Sequence, residues 1–146
     1  MKTATHTAAW CAALLLAACQ SGLGAHETGN GGTDAAPQHE WVLESGRANG
    51  KALDTAAGKV TLNTASKDAF TGVAAVNRYN APVKIRGNSI EHTETITTTL
   101  MAGDMAAMRL ESAYLEALGA TKTIRRDGNA LTLSGDGIEL HYRPGP

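Results

Sequence analysis

Three titratable residues lie close together in this chain, namely Glu91, His92 and Glu94. Carboxylate and imidazole groups at such spacing are able to ligate a metal ion or to exchange protons with a substrate. The segment around them is rich in threonine and isoleucine and is predicted to form a β-strand, in which successive side chains point to opposite faces. His92 and Glu94 would then share one face while Glu91 points away. We therefore predict a solvated strand surface here, without a bound metal ion.

Catalytic motifs are absent from the sequence. The sequence contains no nucleophile elbow, no phosphate-cradling loop and no helix motif with two histidines. Asn77 is able to orient a ligand, although an asparagine at the end of a strand more often stabilises a turn. The pair Arg125 and Arg126 beside a predicted turn is typical of a protein surface. We predict no catalytic residue, no cofactor and no enzymatic activity.

Cys19 is the residue for which the sequence predicts a chemical modification. The chain begins with a charged residue, Lys2, and continues with an apolar stretch over residues 8–18. This is the layout of a secretory signal peptide with small residues before the cleavage site. Residues 16–19 resemble the lipobox of bacterial lipoproteins, in which the cysteine receives a diacylglycerol and becomes the new N-terminus. We predict a signal peptide over residues 1–18 and attachment to a membrane through lipid on Cys19.

Two other interpretations of the N-terminal segment remain open. The first is an ordinary cleaved signal peptide followed by an unmodified cysteine, since Cys11 already stands in this segment without a role. The second is an uncleaved membrane anchor, for which the apolar run falls short of the roughly 20 residues that a spanning helix needs. Gln20 predicts an outer-membrane lipoprotein facing the periplasm, because such proteins are retained in the inner membrane by an aspartate at that position.

The predicted exported chain has no free thiol, because Cys11 leaves with the signal and Cys19 carries lipid. It can therefore form no disulfide and no cysteine-ligated zinc site. Residues 19–39, rich in glycine and polar residues, are predicted to be a flexible tether, and residues 40–146 a single domain. With 13 basic and 14 acidic residues and no basic stripe along the sequence, nucleic acid binding and direct docking on anionic lipid are both disfavoured.

Most of the domain is predicted to form short strands between turn signals, with an antiparallel meander at the end. The predicted strands cover residues 41–44, 59–64, 69–76, 83–86, 89–99, 121–126, 131–133 and 138–142. This pattern predicts a mainly β fold of the α+β class, with one packed α-helix.

The helix is predicted over residues 104–118, with Asp104 as its N-cap and Gly119 as its stop. One stripe of it holds mostly apolar residues, namely Met101, Met105, Met108, Ser112, Leu115 and Leu118. We interpret the stripe as the face buried against the sheet, and we expect Leu115 to lie in the core. An adaptable methionine-lined binding groove is the alternative.

The domain resembles the META domain, the family of HslJ-like heat-inducible lipoproteins. The resemblance rests on residues 41–43, 70–72, 77–80, 98–102, 105–118 and 129–133. It implies a small antiparallel β-barrel or strongly curved sheet with one helix, often lipid-anchored. No enzymatic activity is generally attributed to the family, which is linked to heat shock, to novobiocin resistance and, in some members, to virulence or motility.

Two departures from the family pattern occur together. The family often has a cysteine where this chain has Val76, and another where it has Gly103. Arginine in the family's Thr-Arg-Met-Ala run is Leu100 here. Because both cysteines are lost together, we predict that the loops carrying positions 76 and 103 touch in the fold.

Two classes of function are compatible with these observations. The first is a non-catalytic envelope lipoprotein that is structural or binds another envelope protein, linked to envelope stress or antibiotic resistance. The second is a carrier that holds a small ligand inside the barrel. A carrier needs a cavity of about 300 Å³ or more, whereas a structural barrel is filled by its own side chains.

Overall fold

The computed structural model describes residues 39–146, so the predicted signal peptide, Cys19 and nearly all of the predicted tether lie outside the described residues. The strands are β1 (Glu40–Ala48), β2 (Lys51–Ala52), β3 (Thr61–Asn63), β4 (Ala69–Ala74), β5 (Asn77–Arg86), β6 (Ser89–His92), β7 (Thr97–Thr98), β8 (Thr121–Asp127), β9 (Ala130–Gly135) and β10 (Ile138–Pro144). One helix, α1 (Met105–Gly119), lies between β7 and β8. Within the described part of the chain, no helix is long and apolar enough to cross a bilayer.

Eight of the strands close into an antiparallel barrel. Their order is β1, β10, β9, β8, β6, β5, β4 and β3, and the ring closes because β1 pairs with both β10 and β3. The short strands β2 and β7 add to β1 and β5. The predicted mainly β fold, with a barrel and one packed helix, is confirmed.

Alternation of apolar and polar residues directs side chains to the interior of the barrel. In β5, for example, Tyr79, Ala81 and Val83 are buried, whereas the residues between them are exposed or half-buried. The largest wholly buried side chains are Trp41, Leu62, Phe70, Tyr114, Leu118, Leu131, Leu133, Leu140 and Tyr142. Where β3 and β4 come close, only glycine fits at position 72, because a Cβ there would stand 2.1 Å from the Thr61 carbonyl oxygen.

Three predicted strands differ clearly from the observed ones. The strand predicted over residues 83–86 begins already at Asn77, because residues 77–82 pair with β4. The segment predicted as one strand over residues 89–99 is divided into β6 and β7, because β6 pairs with the second half of β5 and β7 with its first half. The strand predicted over residues 41–44 extends to Ala48, since its pairing with β10 continues beyond an irregularity between Leu43 and Ser45 at which the register shifts.

The barrel has two different ends. We call the end at which β1 begins the entry end; it also carries the turn after Arg86, the turn after Asp127 and the end of β10 at Pro144. The opposite end, the helix end, is covered by α1, which inserts Tyr114 and Leu118 into the core.

The helix begins as predicted, since the Asp104 carboxylate accepts a hydrogen bond of 2.7 Å from the amide of Ala106. Its end differs, because Gly119 is its last residue and Ala120 caps it.

The face that α1 buries differs from the predicted stripe. The buried residues are Ala107, Leu110, Glu111, Tyr114, Ala117 and Leu118. Met105 is exposed and Leu115 only partly buried, so the prediction of Leu115 as a core residue is wrong. The physical reason is Glu111, a charged residue that hydrogen bonds hold inside and that sets the rotation of the helix about its axis.

Candidate functional site

Asn77, the first residue of β5, is buried at the centre of a hydrogen-bond network at the helix end. Its backbone amide and its side-chain Nδ2 donate to the two carboxylate oxygens of Glu111, at 2.7 and 2.8 Å. Nδ2 also donates to the carbonyl of Met101 at 3.1 Å. Its Oδ1 accepts from the amide of Met101 at 2.7 Å and from the hydroxyl of Thr99 at 2.8 Å. We call these four residues the Asn77 hub.

The hub links three parts of the chain that are distant in sequence. Glu111 belongs to α1, Asn77 to β5, and Thr99 and Met101 to the segment that leads into the helix. A buried carboxylate is costly unless hydrogen bonds satisfy it, and Asn77 supplies two of them. The Asn77 side chain therefore does not stabilise the neighbouring turn, as an asparagine at a strand end often does, but joins β5 to α1 and to the segment before it.

Replacing Asn77 by alanine should be strongly destabilising. The change removes four side-chain hydrogen bonds and leaves the Glu111 carboxylate buried with a single donor. We expect a loss of about 3 kcal/mol or more in the free energy of unfolding. Asn80→Ala, an exposed position on the same strand, is the matched control. Equal melting temperatures for the two variants would contradict the role assigned to the hub.

The hub holds an exposed apolar group in place. Leu100, Met101 and Met105 are 96 %, 54 % and 73 % exposed, and we call them the apolar knob. The residues on both sides of Leu100 are fixed: the amide of Thr99 donates to the Arg78 carbonyl at 3.0 Å, and the amide of Met101 donates to Asn77. The knob is therefore presented on a hydrogen-bonded backbone. The predicted stripe is divided, because Met101 and Met105 at its start are exposed whereas Leu118 at its end lies in the core.

Three tyrosines form a chain of hydroxyl groups across the interior of the barrel. Tyr79 donates to the Thr61 carbonyl at 2.9 Å, its oxygen lies 2.9 Å from that of Tyr114, and Tyr114 lies 3.2 Å from Tyr142. Each phenol can thus donate once along the chain. Burial raises the pKa of Tyr114 to about 12 and the pKa values of Tyr79 and Tyr142 well above their ordinary value. At neutral pH the three phenols are uncharged and serve as a polar part of the core.

The cluster of Glu91, His92 and Glu94 is not brought together as a site. The carboxylate of Glu91 lies 4.0 Å from Arg86 on the surface, whereas His92 Nε2 lies 3.3 Å from the hydroxyl of Thr121. Burial lowers the pKa of His92, with hydrogen bonding at Thr121 and Leu118 acting in the opposite direction. Within residues 39–146, no group of three or more histidine, cysteine, aspartate or glutamate residues is arranged to hold a metal ion.

A second acid–histidine pair, which the sequence analysis missed, lies on the outer face of the barrel. His141 Nε2 is 3.3 Å from the carboxylate of Glu139, and His141 Nδ1 is 3.3 Å from the hydroxyl of Thr132. A carboxylate, an imidazole and a hydroxyl group thus follow one another in the order found at enzyme sites where a histidine activates a nucleophilic hydroxyl. Both His141 and Glu139 are about half exposed to water, and β9, which carries Thr132, pairs with β8 and β10. The backbone amides of β9 therefore donate to the neighbouring strands and do not form an oxyanion site.

The grooves that the described residues form are open to solvent. One of about 370 Å³ lies over β3 and β4 beside Gly72 and Arg78, and one of about 490 Å³ lies over β8 to β10. The barrel interior, in contrast, is filled by the large side chains of the core. The structure thus offers a filled barrel, an outer surface with shallow grooves and a rigid apolar knob.

The two positions at which the family often carries cysteine do touch. A Cβ built on Gly103 would lie 2.6 Å from a Val76 methyl carbon, so the branched side chain of Val76 occupies the space over the glycine. The predicted contact between these loops is confirmed.

Comparison with known proteins agrees with this architecture. None of the curated proteins matches the chain. An NMR structure of a protein from Burkholderia xenovorans shares 23 % identity and a TM-score of 0.58, covering 74 % of this chain and 82 % of the other. A second NMR structure shares 22 % identity and a TM-score of 0.53, covering 73 % and 89 %. Both likenesses concern the fold. The family model of the META domain matches residues 34–144, and the chain therefore belongs to the META domain family.

Proposed function

We propose that this chain is a non-catalytic, lipid-anchored envelope protein that binds another envelope protein through its apolar knob and supports the envelope under stress. The observation that carries the proposal is the exposure of Leu100, Met101 and Met105, which are the large apolar side chains exposed among the described residues, on a barrel whose interior holds large buried side chains. An apolar side chain held in one position loses little entropy on binding, and such anchors contribute most of the affinity of an interface.

The surroundings of the knob resemble the anatomy of a protein interface. Exposed charged residues border it, namely Arg78, Asp104 and Arg109. A small apolar centre with a polar rim is the usual arrangement at contacts between proteins that also exist apart. The knob lies at the helix end, opposite the end at which the chain enters the barrel. The occupant we propose is therefore an envelope protein with an apolar recess.

The alternative function, a carrier with its ligand inside the barrel, receives less support. The space that a ligand would occupy contains Tyr79, Tyr114 and Tyr142 with their hydroxyl groups bonded to one another. Opening a cavity of about 300 Å³ would require the removal of several such side chains from the core.

The anchor is tested at Cys19. In the proposed protein this residue carries lipid, and Gln20 directs the product to the outer membrane. The variant Cys19→Ser should move from the membrane fraction to the soluble periplasmic fraction, and the mass of the parent's N-terminal peptide should show acyl chains. A variant that stays with the membrane after a high-salt wash would overturn the anchor.

The partner is tested at Leu100. A photo-activated cross-linking amino acid placed at position 100 should give one discrete protein adduct in living cells, and Met105→Asp should abolish that adduct. The same amino acid at Ala65, an exposed residue at the entry end, is the control. In a deletion strain sensitive to heat or novobiocin, the parent should restore growth and the Met105→Asp variant should not. Equal adducts from both positions, or full rescue by the variant, would contradict the proposal.

A further inference from the structure

The entry end of the barrel gathers basic residues from separate parts of the chain. The loop before β4, the end of β5, the end of β8 and the end of β10 all meet there. The basic residues at this end are Lys67, Lys84, Arg86, Arg125, Arg126 and Arg143, and all are exposed. The acidic ones are Glu40, Asp68, Glu91 and Asp127. The other described residues carry six basic and eight acidic side chains.

Part of the negative charge at the entry end is neutralised locally. Arg86 lies 4.0 Å from Glu91, and Arg125 lies 3.4 Å from Asp127. Over the whole entry end, six basic residues stand against four acidic ones, which leaves an excess of two positive charges. The barrel is therefore polar along its axis, with a positive entry end and a negative helix end. The sequence showed no basic stripe because this grouping arises only when the strands close.

We propose that the entry end docks on an anionic phospholipid surface and so orients the barrel with the apolar knob away from the membrane. The chain enters the barrel at this end, about 20 residues after Cys19. Basic residues close to an anionic leaflet are attracted to it, and an anchor about 20 residues away along the chain raises their effective concentration there. The orientation rests on the proposed anchor, whereas the affinity of the entry end for anionic lipid does not.

The test uses Trp41, which lies at the entry end beneath the guanidinium of Arg126, 4.9 Å from its ring centroid. In the full chain with Trp10→Phe, Trp41 is the only tryptophan. Energy transfer from Trp41 to dansyl-labelled headgroups is measured on vesicles of phosphatidylcholine with and without phosphatidylglycerol. A second preparation also carries Cys19→Ser and so tests the entry end without an acyl anchor.

Transfer should rise several-fold when phosphatidylglycerol is present, in both preparations, and should fall as salt is added. Neutralising the entry end with Lys67→Gln, Lys84→Gln and Arg143→Gln should abolish the rise. The matched control neutralises three exposed residues toward the helix end, Arg47, Lys51 and Lys59. Equal losses in the two triple variants, or equal transfer on both vesicles, would overturn the proposal. If the proposed anchor is wrong, the mass of the N-terminal peptide will show an unacylated Cys19, and this result is independent of the energy transfer.

Discussion

Cysteines introduced at positions 76 and 103 should form a disulfide and raise the free energy of unfolding by about 3–4 kcal/mol. A Cβ built on Gly103 lies 3.3 Å from the Cβ of Val76, close to the spacing of about 3.5–4.5 Å in disulfides. The bond would close a loop of about 27 residues, and the entropy lost by the unfolded chain grows with loop length. Thermal unfolding with and without reductant measures the effect.

The parent protein is the control. Its described domain contains no cysteine and should melt at the same temperature with and without reductant. The single variant Gly103→Cys should be destabilised, because its side chain meets Val76 at 2.6 Å. A double variant that fails to oxidise, or that gains nothing from oxidation, would show that the two loops are farther apart than described.

Alkaline pH should unfold the protein steeply, with a loss of stability that begins near pH 10 and approaches about 4 kcal/mol per pH unit near pH 11. Burial raises the pKa of Tyr114 to about 12, and those of Tyr79 and Tyr142 are raised as well. In this window the unfolded chain has lost three phenol protons that the folded chain retains. Stability is therefore complete below pH 10 and falls as pH rises.

The measurement is direct, because the chain has three tyrosines and all three belong to the buried chain of hydroxyl groups. Tyrosinate absorbance and circular dichroism should change together. Tyr142→Phe removes one titrating group and should reduce the slope by about 1.4 kcal/mol per pH unit. Absorbance that rises near pH 10 while the circular dichroism stays native would mean that the phenols are accessible to water.

Alternation predicted most of the strands of this fold because one face of each strand is buried, although it missed residues 77–82 of β5. The rotation of α1 could not be predicted in this way. The spacing of apolar residues assigns Glu111 to the surface. Its carboxylate is stable in the interior only because Asn77, 34 residues away in sequence, donates hydrogen bonds to it. The apolar knob was missed for the same reason, since apolar residues at helical spacing are normally a core face.

Two further features that were not predicted differ in how far the sequence could have shown them. Glu139 and His141 are two residues apart and could have been paired from strand alternation alone. The basic entry end could not, because its members come from segments as far apart as Lys67 and Arg143. Cys19 remains a prediction from the N-terminal sequence and concerns residues that the structure does not describe.

The pairing of β1 with β10 joins the first and last strands of the domain. The ring therefore cannot close until residues 138–144 have been synthesised and delivered to the same compartment as residues 40–48. Long-range pairings of this kind slow folding, because the chain entropy is lost before the contacts form. Until its last strand is available, the domain therefore stays open. Because β1 and β10 lie side by side, the two ends of the domain could be joined by a short linker. The domain is therefore suited to circular permutation, with new termini at the turn after Asp127.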